Sequence, residues 1–273
     1  MTLPAEDHLS WIALSIGNSR LHWFYFQGLR LDQTWDTPHV DIQQHALPAS
    51  WAAWQQHSPA LAYHPSPAVL PELWILSVVP TQTLFWQTYT QARVLTPADI
   101  PMQIPYTTFG LDRALVIWAA GMFYQWPVLV IDAGTALAYT GAISPGHCLG
   151  GAILPGLGLQ LRSLHQATPE LPAVALPQQL PNRWALDTAS AIQSGILHTL
   201  IAGMTDFIQM WLHQHPTSNI VITGGDAATL HRYLLQRFKA DIAFEPTDRI
   251  VLDPLLQSRG LQHLRQLELE KRT

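Results

Sequence analysis

The chain has 273 residues, 48% of them apolar and 12% charged, enough for a sizeable core and too apolar for intrinsic disorder. Its net charge of −5, with Lys and Arg scattered, gives no basic footprint for a nucleic-acid backbone, and no apolar run approaches the roughly 20 residues of a bilayer span. The opening Met1-Thr2-Leu3-Pro4-Ala5-Glu6-Asp7 has neither a basic patch nor an apolar signal core, which predicts a cytoplasmic protein without a membrane partner.

Cys148 is the single cysteine, so it forms no internal disulfide and, without partners at ligand spacing, no zinc site. Eleven tryptophans without a basic groove predict core and interface packing rather than base stacking. His213-Gln214-His215, before Pro216, reads as a loop carrying a surface pair rather than a metal site.

In chain order, Trp11 to Phe26 reads as a strand, a glycine turn and a second strand. Leu73 to Val79 is a further strand, ended by Pro80. From Asp112 the spacing of Leu115, Trp118, Ala119 and Met122 is helical, and Trp126-Pro127 stops it. Val128 to Ile131 opens a second lobe; the expected division is residues 1–114 and 115–273. Leu149 to Gly156 is a strand and glycine-rich turn feeding an amphipathic helix through Leu157, Leu161 and Leu164. Four prolines between Thr168 and Pro181 forbid regular helix and predict a long ordered loop or arm. Asp187-Thr188 begins a helix with Ile192, Ile196, Leu200 and Met204 on one face. Asn219 to Thr223 is a strand running into Gly224-Gly225, followed by another helix. Strands alternating with helices define an α/β class.

One pattern occurs twice. Leu14-Ser15-Ile16-Gly17-Asn18-Ser19 and Ile131-Asp132-Ala133-Gly134-Thr135-Ala136 match residue for residue at Ser15 and Asp132, Gly17 and Gly134, Asn18 and Thr135, 117 positions apart. The glycines let backbone N–H groups approach phosphate oxygens, and Asn18, Ser19 and Thr135 add neutral donors. A plain hairpin also favours Gly and Asn, so either turn alone decides little. The repetition, with the third glycine turn at Gly224-Gly225, points to nucleotide gripping by two lobes around a shared cleft.

Asp132 ends an apolar strand, where a carboxylate is costly unless a cation or a ring of N–H donors meets it; an Asp closing its own turn is the simpler alternative. Gly110-Leu111-Asp112-Arg113 sets an acid beside a guanidinium at a helix start. Phosphoryl transfer to a hydroxyl needs one carboxylate to take the proton and a fixed cation for the anionic charge. Asp112 is equally what helix capping would choose.

Taken in order, Gly-Leu-Asp-Arg at 110–113, Ile-Asp-Ala-Gly-Thr-Ala at 131–136, Gly-Gly-Ala-Ile-Leu-Pro-Gly at 150–156, Asp-Thr-Ala-Ser-Ala-Ile-Gln-Ser-Gly at 187–195 and Thr-Gly-Gly-Asp-Ala at 223–227 resemble the type III pantothenate kinases over nearly the whole chain. The resemblance implies a duplicated ribonuclease-H-like, actin-like ATPase fold and phosphorylation of pantothenate by ATP, the first step of coenzyme A synthesis. It implies Mg²⁺, a monovalent cation (K⁺ or NH₄⁺) and a homodimer. By motif, Asp112 would be the general base, and Tyr106, Gly110, Leu111, Asp112 and Arg113 would line the pantothenate pocket. Ser15, Ile16, Gly17, Asn18, Ser19, Arg20, Leu21, His22 and Thr135 would hold ATP, and Asp132 the monovalent cation. Thr188 would reach the substrate of the partner subunit.

Two positions depart from the family pattern, which places Asp where this chain has Ser15 and usually Lys where it has His22. A serine hydroxyl adds no charge to a hydrated Mg²⁺, which predicts weaker metal binding or slower turnover. The same fold with another small hydroxy acid or sugar as acceptor, and a nucleotide-binding regulator with weak or no kinase activity, are the competing readings. Asp112 argues against the regulator, which has no need of a base there.

Overall fold

The computed structural model describes residues 10–168, 170–239 and 247–272. They form two compact units, which divide at residues 119/120 and again at 256/257.

The first unit begins with an antiparallel meander of β1 (Ser10–Ile16), β2 (Leu21–Gln27) and β3 (Arg30–Thr37). The chain passes through α1 (Trp51–His57), where Ser50 Oγ accepts from the Ala53 N–H at 3.2 Å, and continues into β4 (Glu72–Ser77). After α2 (Pro80–Trp86) comes β5 (Ala92–Val94), and then α3 (Leu111–Tyr124). β4 runs parallel to both β1 and β5, giving the order β3-β2-β1-β4-β5. Being central, β1 is buried on both faces, which is why its sequence reads as a continuous apolar run; β3, at the edge, alternates and carries Arg30, Asp32 and Asp36.

The second unit repeats this plan. β6 (Val128–Ala133), β7 (Ala136–Ser144) and β8 (His147–Pro155) form its meander, followed by α4 (Leu157–Ala167) and α5 (Thr188–Gln214). Then come β9 (Asn219–Thr223), α6 (Ala227–Lys239), β10 (Ile250–Leu252) and α7 (Leu256–Arg272), the last returning to the first unit from Gln257 onward. The order β8-β7-β6-β9-β10, with β6, β9 and β10 parallel, matches the first sheet strand for strand. Two sheets of this order make a duplicated ribonuclease-H-like α/β fold.

Tryptophan fills the first core as expected. Trp23 meets Trp54 and Trp86 edge to face, with ring centroids 5.9 and 4.9 Å apart, and Trp11 stacks on Phe26 at 4.1 Å on the opposite face of the sheet. Arg265 of α7 is buried over Trp74 at 5.2 Å and pairs with Glu72, so its charge is compensated where it is desolvated. In the second unit Met204, Ile208 and Leu200 of α5 and Leu230, Tyr233 and Leu234 of α6 pack on Ile131, Ile220 and Ile222.

Two local readings are corrected. Pro80 does not merely end the strand; it is the first residue of α2, where its missing N–H costs nothing and its fixed φ suits the helix. His213 and Gln214 close α5 and are not in a loop; His215 caps the helix with its ring 4.3 Å from that of Trp211. Among the described residues no group of three or more His, Cys, Asp or Glu could hold a metal, and no helix is long and apolar enough to cross a membrane.

The segment between α4 and α5 lacks helix and strand where it is described, as its prolines predict. It is stitched to α5 and α6. Gln193 Nε2 donates to Ala175 O at 2.7 Å, His198 Nε2 to Pro181 O at 2.9 Å and Ser194 Oγ to Arg183 O at 2.8 Å; Tyr233 OH donates to Pro177 O, and Leu180 N–H to Gln236 Oε1 at 2.9 Å.

Candidate active site

The predicted site residues fall into three local constellations and one helix start. The first is the β1–β2 turn, closed by the Gly17 N–H donating to Arg20 O at 3.1 Å. Ser15 is buried at the end of β1, while Asn18, Ser19 and Arg20 are exposed at the tip, and Arg20 Nη1 donates to Asp36 Oδ2 at 3.4 Å. Ile16 and Leu21 pair across the strands below the turn and point into the core. Ser15 is paired across with His22, and His22 with Asp36 of β3; the His22 Nδ1–H donates to Asp36 Oδ1 at 2.7 Å. His39 Nε2–H donates to Gly17 O at 2.8 Å and fixes the turn from below.

The second is the entry to α3. Phe109 N–H donates to Tyr106 O at 3.1 Å, and Ala114 N–H to Gly110 O at 3.0 Å, tying the loop into the first helical turn. Arg113, buried, stacks its guanidinium over Phe109 at 4.5 Å and donates from Nη1 to Tyr106 OH at 3.2 Å. Asp112 Oδ1 accepts from the Arg113 N–H at 2.7 Å, and a Cβ on Gly110 would lie 2.5 Å from that same oxygen, so only glycine lets the carboxylate adopt this position. Burial raises the Asp112 carboxyl above the ordinary carboxylate value, against the lowering influence of the Arg113 N–H and guanidinium. A desolvated carboxylate beside a fixed cation is what a base for a hydroxyl proton requires.

The third lies wholly in the second unit, where three loops converge. Gly134 N–H donates to Ala136 O at 3.1 Å, closing the β6–β7 turn; Gly156 N–H donates to Thr135 O at 2.8 Å, and Asp226 N–H to Ala133 O at 2.8 Å. Asp132 Oδ1 sits against two glycines, 2.5 Å from a Cβ placed on Gly224 and 3.6 Å from one on Gly134. Gly224 has φ of 94°, the left-handed region glycine tolerates, and a Cβ on Gly156 would come within 2.2 Å of Gly134 O. Thr135 is exposed at the tip. Asp132 therefore stands where the β6–β7 and β9–α6 turns meet, which sequence distance conceals.

Thr188 is exposed as the first residue of α5, capped by Asp187, whose Oδ1 accepts from the Ser190 N–H at 2.9 Å. That backbone bond, with the Ser190 hydroxyl, holds the Asp187 carboxyl below its ordinary value. Sequence reading missed Asp36 and His39. Both lie beyond the repeated motif, and only strand register brings Asp36 beside His22.

The family model for type III pantothenate kinase matches residues 11–210. The chain belongs to that family. Its members phosphorylate pantothenate in coenzyme A biosynthesis. A type III pantothenate kinase of Nostoc sp. is 45% identical over 262 residues, covering 92% of this chain and 93% of the relative. One from Synechocystis sp. is 39% identical over 242 residues, covering 86% and 84%. Among solved structures, one described as a Baf family transcriptional activator from Campylobacter jejuni superposes with a TM-score of 0.58 at 19% identity, over 95% of this chain and 99% of that one. That likeness is one of fold. The pantothenate kinases are phosphotransferases, which makes ATP the phosphoryl donor and a divalent ion its companion.

Proposed function

We propose that this chain transfers the γ-phosphoryl group of ATP to the primary hydroxyl of pantothenate with Asp112 as general base. The observation that carries the reading is the desolvated Asp112 carboxylate, held beside the Arg113 guanidinium by a glycine that leaves room for it. The hydroxyl oxygen attacks the γ-phosphorus in line as the bond to the β-phosphate oxygen breaks; ADP leaves and the hydroxyl proton goes to Asp112. Tyr106, Gly110, Leu111 and Arg113 line the acceptor pocket, with Arg113 supplying the cation for the pantothenate carboxylate. Its stack on Phe109 and bond to Tyr106 hold that cation in one orientation.

The residues from Ser15 to His22, and Thr135, hold ATP through backbone N–H groups and short hydroxyl and amide donors, which stabilise charge on the phosphates without a strong field. Asp132 holds the monovalent cation. Its carboxylate lies against the Gly134 and Gly224 turns, and it would be the residue to hold such an ion there. Mg²⁺ would come with the nucleotide and would supply neutralisation of the phosphate charge. Thr188 completes the acceptor site of a second copy in a homodimer, and the enzyme works in the cytoplasm.

A coupled assay of ADP release with ATP and pantothenate, in matched potassium and sodium buffers, tests this. The expected result is pantothenate-dependent turnover, stimulated by potassium and lost in Asp112→Asn. Nucleotide binding without turnover would favour the regulator instead.

A further inference from the structure

A groove in the second unit runs between the proline-rich segment, α5 and α6, and none of the residues lining it belongs to the constellations described above. It consists of two cavities, of about 240 and about 520 Å³, that share Arg183, His198 and Arg237 in their walls. Thr205 and Asp206 of α5 line the smaller; Gln179, Leu180 and Gln236 line the larger, whose volume falls within the roughly 300–1,000 Å³ of small-molecule sites.

The walls are held in place by bonds that leave their cations for a ligand. Pro181 O accepts from His198 Nε2–H at 2.9 Å and Arg183 O from Ser194 Oγ at 2.8 Å, so the backbone that carries the Arg183 side chain is pinned to α5. His198 is thereby a strut, and the Thr205 hydroxyl is spent on Ile201 O at 2.8 Å. Gln236 Oε1 accepts from the Leu180 N–H at 2.9 Å, which leaves its Nε2 hydrogens as its donors. The charged donors of the groove are the guanidiniums of Arg183, from the segment, and of half-buried Arg237, from α6; against them stands one carboxylate, the exposed Asp206. The lining thus carries an excess of positive charge in a chain whose net charge is −5.

We propose that this groove is a phosphoryl-binding site, in which Arg183 and Arg237 take the oxygens of a free phosphate or of a small phosphate monoester whose body lies along Gln179, Leu180 and Gln236. Two planar forks arriving from different elements match a tetrahedral group that offers oxygens in several directions; a monocarboxylate, with two oxygens in one plane, satisfies one fork. Asp206 lowers the affinity for an anion without cancelling the two guanidiniums. Occupancy ties the segment that leads into Asp187-Thr188 to α6 by side chains, in addition to the bonds of its backbone.

The test is calorimetric titration of the full chain with inorganic phosphate and with glycerol phosphate, in the presence of Mg²⁺ and a saturating non-hydrolysable ATP analogue that occupies the nucleotide site, with thermal melts alongside. Both probes are expected to bind the wild-type protein and to raise its Tm. Arg183→Ala and Arg237→Ala should each weaken binding by about tenfold or more, as loss of a charge-assisted bond does, and Asp206→Asn should strengthen it by about two- to fivefold. Because Arg183 is exposed, its loss leaves the fold intact, and the melts check this. Arg113→Ala and Thr135→Ala, which alter the sites already described, should leave binding unchanged. Tighter binding of the monoester assigns the larger cavity to the body of an organic phosphate, and equal binding assigns the site to free phosphate. Absence of binding at millimolar phosphate overturns the proposal, as does binding that survives both arginine substitutions or is lost in Arg113→Ala or Thr135→Ala.

Discussion

Ser15 and Asp132 occupy the same step of the same strand in the two sheets. Each lies two residues before its turn glycine, Ser15 opposite His22 and Asp132 opposite Ala138. The second turn is one residue shorter, closing at Ala136 where the first closes at Arg20. The two copies therefore share the strand step and differ in turn length and side chains, a hydroxyl facing an imidazole in one and a carboxylate facing a methyl group in the other.

Ser15→Asp should lower the Mg²⁺ concentration needed for half-maximal activity by severalfold, because a carboxylate adds charge where the hydroxyl offers only a dipole. His22, directly opposite, gives the new carboxylate a partner in a buried position. Activity titrated against Mg²⁺ decides it; saturation of the wild-type protein at ordinary concentrations, unchanged in the variant, would show that Ser15 is no handicap.

Asp112→Asn should reduce kcat by about a hundredfold or more, the usual scale for loss of a general base. The folded protein should be as stable as wild type or more so near neutral pH. The sign follows from the raised pKa. A carboxyl raised by burial favours its neutral form, so it supports folding at acid pH and loses that contribution as pH rises through the raised value, where the charged form is buried at a cost. Steady-state kinetics and thermal melts at two pH values separate the two effects.

The same shift sets the acid limb of the rate profile. The base works deprotonated, so kcat/KM for pantothenate should fall with decreasing pH around a midpoint above that of an ordinary aspartate. A limb at the ordinary value would mean that the carboxyl is solvated during turnover.

Gly224→Ala should destabilise the second unit by about 1–3 kcal/mol, since it forces a side chain into the left-handed region. Its Cβ would also stand 2.5 Å from Asp132 Oδ1 and 2.6 Å from the Ala133 carbonyl carbon. Chemical denaturation measures the loss, and potassium stimulation should decline with it because the displaced group is Asp132.

Thr188→Ala should raise the KM for pantothenate more than that for ATP, with little change in melting temperature, because Thr188 is exposed and the N-cap is supplied by Asp187. Equal effects on both substrates would place the threonine elsewhere.

The repeated turns, the α/β alternation and the start of each glycine turn were legible because each rests on local chemistry that period and composition reveal. Trp11 to Phe26 reads as a hairpin from its own residues, and Asp187-Thr188 as a helix start from its capping. What did not show was anything set by register or by the meeting of distant loops. Asp36 is an ordinary edge-strand acid until β3 pairs with β2, and the Gly224-Gly225 turn, read as part of a nucleotide site, gives no sign in sequence that Asp132 lies against it. Pro80 was misread for a related reason, since a proline that ends one element and one that begins the next look the same in a single sequence.

The segment joining α4 to α5 is gripped almost entirely by its peptide carbonyls, with Gln193, Ser194, His198 and Tyr233 of the helices acting as the donors. The contact is made largely through the backbone, with Leu180 the side chain that packs on the core of the second unit. Substitution of the segment's exposed side chains should thus leave it docked, whereas loss of a donor on the helices should loosen it.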